Sequence, residues 1–243
     1  MRAWWTQTRA EVRMTVRRGE TLLLTIAIPI VLLIFFTTTH VTSTPTPRRI
    51  DFFAPGIIAL CVMSTSLVAL SIATAFERSY GVLRRLYVTP LGRPRLIAAK
   101  IAGVVVVEII QVAVLGVVAA ALGWHPHGGV AALAAAAGVL LLATAGFAGV
   151  GLALAGRLRA EINLAAANGL YLLLLLGSGF VIPLRNLPDF VQRGASATPS
   201  GALADALHRS LGHGASVGIA NVVSLTAWAA VAPWIAARAF RFD

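Results

Sequence analysis

One lysine, Lys100, stands among nineteen arginines in this 243-residue chain, and its neighbours limit the chemistry it can do. A loop that cradles nucleotide phosphates, G-x-x-x-x-G-K-[ST], needs glycines ahead of the lysine and a hydroxyl behind it. Ala98-Ala99 precede Lys100 and Ile101 follows, so that cradle is missing. His125 and His127 flank Pro126 without an acidic or cysteine ligand nearby, which reads as a solvated loop rather than a metal site. His208 and His213 have no Ser or Asp arrangement that specifies hydrolysis. Cys61 lies alone in an apolar run, leaving neither a disulfide framework nor a thiolate cluster. The sequence therefore assigns no catalytic residue and no metal ligand. Glu108 is different, because it sits about seven residues into an apolar run, roughly 10 Å deep at helical rise. A carboxylate at mid-span costs on the order of 3 kcal/mol on insertion scales, so such residues face protein or water. Gln111, three positions on, shares its face. The pair reads either as part of a pathway or subunit seam, or as a hydrogen-bonded helix-packing element. A lone carboxylate is a poor proton relay.

The elements that must position these residues are membrane helices. Hydrophobic residues make up 58% of the chain and charged ones 12%, about half the globular norm of roughly 25%, too little polar surface for a soluble domain. A hydrocarbon core needs roughly 20 apolar residues of helix. Six runs reach that length: Thr21–Thr39, Phe52–Ala75, Ile101–Leu122, Val130–Ala155, Ile162–Ile182 and Val217–Ala237. Backbone satisfaction in lipid admits only helices or closed barrels, and runs without strict alternation exclude the barrel. The fold class is thus all-α integral membrane with six transmembrane helices, one domain over 1–243. Fifteen of the twenty basic residues fall on the side holding both termini, which makes that side cytoplasmic. The net charge of +11 is this topology signal, not a nucleic-acid surface. The first run is long for a signal-peptide core, and Thr37-Thr38-Thr39-His40 offers no A-x-A-like cleavage site.

Ahead of the first run, residues 1–20 project as an amphipathic helix. Trp4, Trp5, Val12 and Val16 lie beside a stripe of Arg2, Arg9, Arg13 and Arg17, the pattern of a helix in the headgroup region. Between the second and third runs, 76–97 form a cytoplasmic hairpin. On a helix there, Tyr80, Leu83 and Tyr87 share one narrow stripe, Arg78, Arg84 and Arg85 point elsewhere, and Pro90 stops it. From the residues alone two readings stand: a short helix that pushes against a soluble partner, or a basic loop that only fixes orientation.

Here the residues resemble a family. The order E-R-x-x-G-x-L-x-R-L-x-x-T-P-L, from Glu77 to Leu91, with Ala99-Lys100 opening the third run, resembles the permease subunit of ABC-2 type exporters, the daunorubicin-resistance permease group among them. Gly179 to Phe190, carrying G-x-x-x-P-x-x-x-L-P-x-x, then Pro199 and Ala206-Leu207, is similar to the block that follows the family's fifth span. The resemblance covers nearly the whole chain. It implies a non-catalytic transport subunit that works with two copies of an ABC ATPase and a second permease, identical or homologous, within membrane lipid. ATP and magnesium would bind the partner, and this chain would hold no cofactor. The hairpin would be a coupling helix, with Glu77, Arg78, Leu83, Arg84, Arg85 and Leu86 at or near the ATPase and Gly81 allowing close backbone approach. Residues 183–215, with Pro183, Leu187, Pro188 and Asp189, would form an outer re-entrant helical hairpin. Arg193 to Ala197 is more polar and glycine-interrupted than the family's apolar filling. The implied activity is export of an amphipathic drug-like or lipid-like molecule from the cytoplasm or inner leaflet across the plasma membrane. The rival is a partner-independent secondary carrier, which predicts several intramembrane ionisable groups, where the sequence offers one clear case.

Overall fold

Apolar runs of this length can satisfy their backbone only within themselves, and the computed structural model is accordingly helical throughout its regular elements. It describes residues 19–39, 44–82, 92–186, 188–195 and 197–239. The interfacial helix expected over 1–20 lies almost wholly outside that set, as do Leu83, Arg84, Arg85, Leu86 and Leu187.

In chain order the helices are α1 (Gly19–Thr38), α2 (Arg49–Met63), α3 (Leu70–Ser79), α4 (Gly92–Ala121), α5 (Gly129–Ala155), α6 (Ala160–Leu176), α7 (Asp189–Ala195), α8 (Pro199–Leu207) and α9 (Ile219–Ala239). A π-helical turn, Ser64–Ala69, joins α2 to α3 without a break, and a second, His208–Gly212, extends α8. Among the described residues, four stretches are long and apolar enough to cross a membrane: 49–79, 94–121, 129–155 and 219–239. Thr25–Thr38 in α1 and the whole of α6 are shorter apolar helices.

The α2–α3 unit is the centre of the bundle. Its most apolar window is 72% buried, against 33% or less for the other three long helices. Every residue from Ile50 to Met63 is buried. Lipid tails are as apolar as leucine, so helices associate through close packing rather than through exclusion of water. Small residues supply that closeness. The most extensive helix pair is α5 with α9. There a Cβ on Gly149 would run into the backbone at Ala232 and Pro233. Phe36 stacks on Phe53 at 5.2 Å between ring centroids, and Arg49 caps the stack, with its guanidinium 5.4 Å above Phe53.

Three boundaries differ from those read in the sequence. The fifth run was expected to continue to Ile182, yet α6 ends at Leu176. Gly179 adopts φ +80 and Pro183 follows, so residues 177–182 form an irregular segment whose Phe180 is fully buried. The third helix starts nine residues early, at Gly92, because Pro94 sits in its first turn, where a missing N–H costs nothing. Tyr80 also falls outside the helix expected for the hairpin, while Leu83 and Tyr87 of its stripe lie outside the described residues. Tyr80 lies in a turn after α3, with Gly81 at φ +70, and its ring stacks back on Phe76 at 6.1 Å.

Candidate coupling end and intramembrane polar cluster

At the hairpin end, α3 leaves the bundle and α4 re-enters it. Lys100 Nζ lies 2.7 Å from Glu77 Oε2, with side-chain exposures of 1% and 16%. The ion pair joins the last turn of α3 to α4 across 23 residues of chain. Next to it, an Arg78 Nη donates to the Leu158 carbonyl at 2.7 Å, tying α3 to the link between α5 and α6. Both residues that the sequence assigned to a partner contact thus also engage their own domain. Gly81 lies in the left-handed region, at φ +70, and among the described residues nothing lies within 4 Å of where its Cβ would be. The turn itself therefore requires glycine.

Deeper in the bundle, Glu108 and Gln111 project from α4 onto the π turn and α5. Glu108 is 5% exposed and Gln111 0%. Thr144 Oγ1 of α5 donates to Glu108 Oε2 and also lies 2.9 Å from its own helix's Leu140 carbonyl. The Ser66 hydroxyl donates to the Val62 carbonyl of its own helix. Thr65 Oγ1 donates to Gln111 Oε1 at 3.0 Å. The π turn carries both Thr65 and Ser66. The Leu70 N–H reaches back to the Thr65 carbonyl, a five-residue step that widens the helix locally, as π turns at functional sites do. Among the described residues, Glu108 Oε1 and Gln111 Nε2 have no hydrogen-bond partner. Nearer the hairpin end, Ser71 Oγ sits 2.8 Å from the Gly151 carbonyl and 3.0 Å from Asn163 Oδ1.

Within 183–215, α8 and the π turn after it pack on α2. Pro183 is buried, while Pro188 and Asp189 are exposed, Asp189 opening α7 in its first turn, where a carboxylate suits the helix dipole. Pro199 starts α8 and Thr198 caps it, accepting from the Gly201 N–H. The His208 ring stacks on Phe52 at 4.6 Å, with Nε2 3.0 Å from the Phe52 carbonyl. Enclosure among apolar groups lowers its pKa, against the backbone carbonyls and Asp205, which favour the charged form. Asp205 Oδ2 accepts from Arg209 Nε at 2.7 Å and from Asn221 Nδ2 at 2.6 Å. A Cβ on Gly56 would collide with the Phe180 carbonyl, so α2 and the segment after α6 touch backbone to backbone. Among the described residues, no group of three or more His, Cys, Asp or Glu side chains could hold a metal ion.

Sequence reasoning singled out Glu108 and Gln111 but missed Thr65 and Thr144. The available signal was Ser64-Thr65-Ser66, three successive hydroxyls inside an apolar run.

The ABC-2 type transporter family matches residues 2–210. The chain belongs to that family. It is also 27% identical over 203 residues to a protein of Bacillus subtilis (strain 168) named "Putative transport permease YvfS", an alignment covering 80% of this chain and 79% of that one. An ABC-2 transporter chain with this succession of apolar helices is a multi-pass membrane protein and a permease-type component of membrane transport. The expected resemblance to an ABC-2 permease is thereby met over nearly the full length.

Proposed function

We infer that this chain is the permease subunit of an ATP-driven exporter, with nucleotide bound and hydrolysed by separate chains. The observation that carries the reading is the family match over residues 2–210 on a chain whose lone lysine has no phosphate cradle. Two copies of an ABC ATPase would grip the hairpin over 76–97, and a second permease, identical or homologous, would complete the conduit. Lys100–Glu77 and Arg78–Leu158 support this assignment, because they make the hairpin's stem rigid against the bundle, so that a push on the hairpin is passed to α3 and α4. Six crossings are proposed, with α1 and α6 as the first and fifth. Both termini would be cytoplasmic in the plasma membrane, and 183–215 would form an outer re-entrant hairpin closing the exit. The cargo would be amphipathic and drug-like or lipid-like, moving from the cytoplasm or inner leaflet past Glu108 and Gln111.

The test is coexpression with a cognate ATPase. The complex should copurify and hydrolyse ATP, whereas the purified chain alone should not. Changing Leu83 and Arg85 together to alanine should abolish copurification or stimulated hydrolysis; normal coupling would overturn the hairpin assignment. Pumping by vesicles that contain only this chain would favour a secondary carrier instead.

A further inference from the structure

Glu108 and Gln111 are each half used. Glu108 Oε2 and Gln111 Oε1 accept from Thr144 and Thr65, while Glu108 Oε1 and Gln111 Nε2 face the interior unpartnered among the described residues, within side chains at least 95% buried by their 5% and 0% exposures. One acceptor and one donor are therefore left over at a depth where water is scarce. Buried polar groups in folded proteins are nearly always paired, and in hydrocarbon no bulk solvent substitutes. The two residues are three apart on α4, so their Cβ atoms are about 5–6 Å apart. Side chains so placed lie on one helix face, where one bridging oxygen can bond to both.

The identity of the two free atoms selects the ligand. A metal cation would suit Glu108 Oε1 but would meet the N–H of Gln111 head-on. An ammonium group would donate to the carboxyl but has no lone pair for the amide. A hydroxyl does both: it donates to Glu108 Oε1 and accepts from Gln111 Nε2. The geometry points to a binding site for one hydroxyl group, of water or of an alcohol, between Glu108 and Gln111 beneath the π turn Ser64–Ala69. Its two sources are a resident water molecule and an alcohol group on amphipathic cargo, and the second source rests on the transport reading above.

The experiment uses the full chain in lipid nanodiscs, exposed to a long-chain alcohol bearing a diazirine or to its methyl ether, with labelled residues mapped by mass spectrometry. The ether can still accept from Gln111 but cannot donate. Alcohol labelling near Thr65 and Gln111 should therefore exceed ether labelling on the order of tenfold, the worth of one hydrogen bond. Glu108→Met, which removes the acceptor, should erase that preference, whereas Gln111→Met should lower labelling by both probes alike. Glu108→Leu, which likewise has no acceptor, gives the same reading should the Glu108→Met variant fail to elute as a folded species. Selective labelling identifies the cargo alcohol as occupant. Absent labelling, with an ordered oxygen between the two side chains in a high-resolution map, identifies water. Equal labelling by alcohol and ether, or a dry map with Gln111 Nε2 bonded directly to Glu108, overturns the site. ATP-driven transport by the reconstituted complex is scored in parallel. If it persists while the site fails, only this inference falls; if it is absent from the native complex, the exporter reading falls.

Discussion

The two ends of the bundle are held together by different physics. At the hairpin end, charged side chains make the cross-links: Lys100 to Glu77 and Arg78 to the Leu158 carbonyl. At the far end, contact is chiefly through backbone and rings, with Gly56 against Phe180, His208 on Phe52 and Phe36 on Phe53, to which Asp205 adds a charged link from α8 to Asn221 of α9. A directional charge pair fixes an orientation and fails if either member is lost. Backbone-to-backbone contact has no such dependence on polar partners, and it fails when a side chain is inserted. The hairpin end is thus built to hold an angle and the far end to stay shut.

The largest expected effect comes from Lys100→Met. It leaves Glu77 unpaired at a mostly buried position, a loss of roughly 3–5 kcal/mol, seen as a lower melting temperature in detergent. The double change with Glu77→Leu should recover most of it, and hydrogen exchange should rise at the ends of α3 and α4 while α8 stays protected. Gly56→Ala probes the other end. Its methyl must displace the Phe180 backbone, at the upper part of the ~1–3 kcal/mol range for overpacking, and exchange should rise at α2 and residues 177–183 but not at the hairpin stem. Equal spreading of either effect over both ends would break the contrast. Arg78→Gln is expected to cost about 1.5 kcal/mol, the value of a hydrogen bond from a charged donor, again confined to the hairpin end.

The smallest effect is on pH. His208 faces the Phe52 carbonyl from α2, Asp205 and the Ala204 carbonyl from α8, and His213, and its pKa is depressed chiefly by enclosure. The unfolded chain takes up that proton near the ordinary value of 6.5 while the folded ring resists it. The stabilisation is therefore complete above that pH and declines as pH falls below it. Melting temperature should show a step in this window that His208→Phe removes, since phenylalanine keeps the stack on Phe52.

Much of the architecture was legible because hydrophobic length is a strong signal: α2 with α3, α4, α5 and α9 all lie where apolar runs lie. The end of α6 was not, because Phe180-Val181-Ile182 resume the apolar pattern after the helix stops, and Gly177-Ser178-Gly179 and Pro183 mark the break. Glu108 stood out by being charged in lipid. The hydroxyls around it did not, because threonine and serine in a membrane helix can equally bond their own backbone, and nothing in Ser64-Thr65-Ser66 announces a π turn. The Lys100–Glu77 pair was invisible for another reason: each residue was read within its own segment, and the contact spans 23 positions.

The shortness of α6 has a consequence for the lipid around it. Seventeen residues at about 1.5 Å each make a rod near 25 Å, several ångströms less than a typical hydrocarbon slab of about 30 Å. If α6 is a crossing, acyl chains bordering it must compress or splay to meet it. The membrane would then dimple along one flank of the molecule, beside the outward-facing amide of Asn168.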